Sequence, residues 1–141
     1  MSSVVKQTIN YTTKNPKILF LIDSLGAMFT AFLLFVILRN YNEYYGVPEA
    51  TLICLSIIAV FFSSYSISCF FFLKENWMTF LTVIAYANLL YCVLTIVLLI
   101  GCYPILTILG ITYFLIEILV ICGLVYIELK VATAIKQDSV K

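Results

Sequence analysis

Charged and strongly polar residues punctuate the chain at Lys14–Lys17, Arg39–Glu49, Lys74–Glu75 and Glu128–Lys130, and four long apolar runs lie between them, the last two parted by Gly101–Tyr103. The runs cover about residues 18–38, 50–72, 78–100 and 104–127. Each exceeds the ~18–20 residues that carry a helix across a ~30 Å hydrocarbon core. A buried helix of a soluble protein is rarely so long and apolar on every face. In lipid the backbone must satisfy its own hydrogen bonds, so the β-branched and aromatic residues of these runs do not argue for strands. The pattern therefore predicts four transmembrane helices.

The connections are short. Leu73–Trp77 and Gly101–Tyr103 read as tight turns, and Arg39–Glu49 as a longer loop with Gly46 and Pro48. Neighbouring spans are then antiparallel hairpins, and the fold class is an all-α integral membrane protein with an up-down bundle. Pro16 marks the start of the first span, because proline is tolerated in a first helical turn. The expected organisation is an N-terminal segment at 1–17, either interfacial or disordered, a four-helix domain at 18–128 and a C-terminal tail at 129–141. The first run is longer than the ~7–15-residue core of a signal peptide and no A-x-A site follows it, so it is expected to be retained. The predicted connections are too short to hold a soluble active site.

Composition agrees with this reading. Apolar residues make up 64% and charged residues 11%, against roughly 45–50% and about 25% in soluble domains. A formal net charge of +1 provides no basic field, so nucleic acid is not an expected partner. The bilayer is the expected partner, with a second copy or another membrane protein beside it. Cationic residues set the orientation. Lys6, Lys14, Lys17, Lys74, Lys130, Lys136 and Lys141 fall on the side of the termini, and Arg39 alone on the other. Both termini are then expected in the cytoplasm of a plasma or bacterial inner membrane. On that topology the Asn10-Tyr11-Thr12 sequon stays unmodified. Tyr41, Tyr44, Tyr45 and Tyr103 would anchor the outer interface, and Trp77 and Tyr126 the inner one.

The chain has five cysteines, no histidine and no C-x-x-C. Imidazole metal sites and histidine-based catalysis are excluded, and neither a metal, a cofactor nor an enzymatic activity is expected. The cysteines read as small apolar packing residues. Cys54 and Cys102 fall near the same membrane face, so a disulfide between them is compatible with the topology.

Polar residues inside the spans carry the remaining information. Asp23, Gly26, Ala27, Thr30 and Ala31 share one face of the first span. Ser56, Ala59, Ser63, Ser66 and Phe70 trace a stripe on the second, and Ala85, Asn88, Tyr91, Cys92 and Thr95 on the third. Gly110, Tyr113, Phe114 and Glu117 do so on the fourth. Small faces let membrane helices approach closely, so these stripes are expected to turn inward, with Gly26 and Gly110 as points of close approach. A central carboxylate costs about 3 kcal/mol on the insertion scale. Fourteen Leu, Ile, Phe or Val residues outweigh Asp23, and fifteen outweigh Glu117.

Asn88 and Glu117 lie almost symmetrically about Cys102, so a hydrogen bond between them is expected near mid-membrane. Asp23 lies level with Ser66 or Ser68 and with Tyr86. No Lys, Arg or His lies within any span. An ionised, unpaired carboxylate in hydrocarbon is very costly, so Glu117 is expected either to be protonated at neutral pH or to face water. Glu128, beside Lys130, is expected in solvent.

An intramembrane acid is by default a functional candidate. The first reading is a small proton- or cation-coupled carrier acting as an oligomer through Glu117 and Asp23. Asn88, Tyr91 and Tyr113 complete its candidate site. The second is a non-catalytic accessory, assembly or lipid-interacting protein in which Glu117 and Asn88 hold helices together.

Overall fold

The computed structural model describes residues 2–139, with side chains described through residue 137. Those residues are all-helical, without a strand. The elements are α1 (Ser3–Lys14), α2 (Lys17–Phe32), α3 (Asn42–Tyr45), α4 (Glu49–Phe72), α5 (Trp77–Cys102) and α6 (Ile108–Ser139). A π-helical stretch, Leu33–Leu38, prolongs α2, and a 3₁₀ turn, Tyr103–Ile105, follows α5. Four of these helices are long and apolar enough to cross a membrane.

Local chemistry sets the breaks. The Ser2 side chain accepts from the Val5 amide and opens α1. Asn15-Pro16 then ends it, because proline lacks an N–H and disfavours helical geometry in the residue before it. The N-terminal segment is thus a helix. Its Thr12 is buried and its Ile9 packs on the bundle. The turn α3 closes on Gly46 at φ +67°, a left-handed conformation that glycine adopts without steric cost. Pro48 follows and precedes the first residue of α4.

Two boundaries differ from the sequence reading. The last turn is centred on Pro104–Leu106 rather than on Cys102, with Gly101 still helical. The fourth helix does not stop near Ile127 but runs to Ser139. Glu, Lys, Ala and Gln all sustain helices, so the charges at Glu128 and Lys130 do not break it.

The bundle consists of two antiparallel hairpins. α2 packs along the length of α4, and α5 along α6. The hairpins meet along a thin α4–α5 seam, while α2 and α6 barely touch. Two clasps span that last gap. α1 rests on α6 at the end carrying the termini, and α3 rests on α6 at the other end. Tyr44 and Tyr45 carbonyls accept from the Thr107 hydroxyl at 2.6 Å and its amide at 3.2 Å.

Apolar clusters fill both ends of the bundle. Leu19, Phe20, Cys69, Leu81, Ile84, Val131 and Ala132 form the one near the termini. Leu34, Leu38, Val47, Leu52, Leu55, Tyr91 and Phe114 form the other. Polar side chains occupy the layer between. Within the first hairpin Ser63 donates to the Ser24 carbonyl at 3.0 Å. Such bonds between membrane helices average about 0.6 kcal/mol. Ser63→Ala should therefore lower the thermal midpoint in detergent only slightly.

All five cysteines are free, so Cys54 and Cys102 are not bridged. Phe61, Phe71 and Phe72 face outward, while Phe62 and Phe70 pack inward.

Candidate functional site

A cavity of about 260 Å³ lies in the polar layer, where α2 and α6 diverge. Small residues make it. Gly26, Ala27 and Thr30 leave the α2 wall thin, and a side chain added at Gly26 would meet nothing within 4 Å. Gly26 is therefore not a point of close approach: the small stripe of the first span borders a void rather than a partner helix. Gly110 does fulfil that expectation, since a Cβ there would lie 2.3 Å from the Tyr45 carbonyl oxygen.

The cavity opens sideways. Phe29 on α2 and Val120 on α6 border it and are 62% and 67% exposed. The two apolar clusters close it along the bundle axis, and the α1 and α3 clasps frame the opening above and below. Phe62, Leu33, Ile116, Ile121 and Leu124 supply most of the remaining wall, which is almost wholly apolar.

Asp23, Asn88, Tyr91, Tyr113 and Glu117, the five candidates from the sequence, all border this one cavity. Their pairing differs from the expected one. Asn88 does not bond to Glu117. It donates from Nδ2 to Asp23 Oδ1 at 2.7 Å, across the two hairpins. Glu117 accepts instead from the Tyr91 hydroxyl, at 2.9 Å on Oε1. The displaced α5–α6 turn explains the exchange. Moving its centre along by about three residues shifts the facing positions by about six, from beside Asn88 to the stretch of α5 just beyond Tyr91, within reach of the Tyr91 hydroxyl. Thr95 donates to the Tyr91 backbone carbonyl at 2.9 Å, one turn back in α5. Asp23 also accepts a hydrogen bond from Ser66, as its depth suggested. Ser68 bonds within α4 and Tyr86 faces outward, so neither is its partner.

The two carboxylates of the cavity thus differ. Both Asp23 oxygens have donors. Glu117 is 8% exposed, and its Oε2 has no hydrogen-bond partner. Among the described residues the ion pair Arg39–Glu49 lies in the exposed loop between the first two long helices, and no Lys or Arg lines the cavity.

Glu128 corrects another expectation. It is 0% exposed, rather than in solvent. Its helix continues inside the bundle, with Val131 and Ala132 buried just beyond it. The carboxylate stands near Asp23 and Asn88, and neither oxygen completes a hydrogen bond. The spacing Glu117, Ile121, Leu124, Glu128 places both glutamates on one helical face. That signal was present in the sequence, but adjacency to Lys130 masked it.

Among the described residues no group of three or more His, Cys, Asp or Glu could hold a metal ion. The chain matches no protein-family model, no curated protein and no solved structure. The functional reading therefore rests on the cleft itself.

Proposed function

We propose that the protein is a four-pass integral membrane protein of a plasma or bacterial inner membrane, with both termini in the cytoplasm. We further propose that its side cleft binds a cationic solute and carries it in exchange for a proton. The lysine asymmetry supports the orientation. One observation carries the activity: Glu117 borders a cavity while buried, with one oxygen unpartnered and no cation on the wall. A carboxylate in that setting must be neutralised by a proton or by a bound positive charge. Alternation between the two is the elementary step of a proton-coupled carrier.

Tyr91 holds the Glu117 carboxyl in orientation, and Tyr113 lies beside it on the cavity wall. Asp23 serves as a second acid, steadied by Ser66 and Asn88. The apolar clusters block the bundle axis, so release to the opposite face requires the hairpins to move relative to each other. Operation as an oligomer would supply surfaces for that movement.

The completed hydrogen bonds of Asp23 favour a second reading, a non-catalytic accessory or lipid-interacting protein whose polar layer holds its helices together. Reconstitution in liposomes with an internal pH dye, with an organic cation such as tetramethylammonium added outside, separates the two. The carrier reading expects a proton flux that Glu117→Gln abolishes, with little change in thermal midpoint. Absence of flux in the wild type, with a midpoint shift as the sole effect of Glu117→Gln, would overturn it.

A further inference from the structure

Binding in the cleft is the premise of the carrier reading, and the class of its occupant can be taken further on the same premise. We propose that the cleft takes an amphiphilic amine, a single protonated amino group on an apolar body, which arrives sideways from the bilayer between α2 and α6.

Three observations point to this occupant. The first is charge. Glu117 borders the cleft, and its buried Oε2 has no donor among the described residues; a turn of the carboxyl into the cavity would let a protonated amine supply both the donor and the compensating positive charge. The second is the wall. Phe29, Phe62, Ile116 and Val120 present apolar and aromatic surface around Glu117, while the other acid, Asp23, has a donor on each oxygen, which suits an apolar body with one charged end. The third is access. Both axial ends are closed, and the opening faces sideways, where such amphiphiles concentrate.

A basic residue on the helix of a partner protein would offer similar chemistry. The clasps argue against it. α1 and α3 bridge to α6 above and below the opening, so a helix spanning the full bilayer could not lie along the cleft. A compact solute passes between them.

Capture is a proton exchange. A protonated Glu117 carboxyl releases its proton to water, and the carboxylate then pairs with the ammonium group. The cleft is neutral before and after, as a carboxyl and then as a carboxylate–ammonium pair, so uptake of one ammonium ion accompanies release of one proton to water.

The test uses the full chain in nanodiscs of zwitterionic lipid and three labelled probes with the same tail: dodecylamine, dodecanol and dodecanoic acid. The wild type should bind the amine about tenfold or more tightly than the alcohol, the range expected of a charged hydrogen bond in a dry site. Glu117→Gln should erase that preference. Gly26→Leu should weaken all three, because it fills the cleft from a position with open space around it. Equal affinity for amine and alcohol, or an amine preference that survives Glu117→Gln, would overturn the proposal. Selective amine binding without proton flux would sustain this occupant and overturn the carrier reading. Proton flux without amine preference would do the reverse.

Discussion

Replacing Gly46 with alanine should cost on the order of 3–5 kcal/mol of stability, the largest effect expected of any single methyl group in the molecule. Two independent penalties combine. At φ +67° a side chain is strained whatever its surroundings. A Cβ there would also lie 1.9 Å from the Ile105 carbonyl oxygen and 2.9 Å from Leu106 Cα. Both neighbours are backbone and cannot swing aside. Relief requires the first loop to lift from the last turn, which breaks the hydrogen bonds from Thr107 to Tyr44 and Tyr45. Thermal unfolding in mild detergent measures the loss. Gly26→Ala, with no atom within 4 Å of the added carbon, is the matched control and should melt near the wild type. A Gly46→Ala variant that melts with that control would show that the two loops do not dock.

The second large effect is expected at Asn88. Asn88→Leu should cost about 2–3 kcal/mol, because it leaves an oxygen of the buried Asp23 without a donor. The bond it removes also joins the two hairpins, whose direct seam is thin. Combining it with Asp23→Asn should recover part of the loss, since a neutral amide is less costly to leave unpaired than a carboxylate. The double-mutant cycle in detergent reads this coupling. Additive losses would mean that Asn88 acts through packing alone.

How much of this was legible in the sequence differs by feature. Runs as long as 50–72 and 78–100 admit one structural reading, so the four helices and their order could be read directly. Their ends could not. The last turn is positioned by Pro104 and by the docking of Thr107 on Tyr45, a contact between segments far apart in the chain. A shift of a few residues there was enough to exchange the partners of Asn88 and Glu117. The five candidate side chains could be collected from helical periodicity, and they do share one cavity. The cavity itself was not legible. Gly26, Ala27 and Thr30 would look the same against a neighbouring helix as against empty space, and only the divergence of α2 from α6 decides between them. Glu128 was misread because proximity in sequence to Lys130 says nothing about which way a helical face turns.

The sideways opening of the cleft has a consequence for how affinity would be measured. On the proposed membrane placement, a solute arriving there would meet the protein at its lipid-phase concentration rather than its aqueous one. Partitioning into hydrocarbon gains about 0.8 kcal/mol per methylene, so each added carbon raises the local supply roughly fourfold. Potency referred to the buffer would climb with tail length even for carbons that never touch the protein, and homologous series would rank by oil–water distribution before they rank by fit.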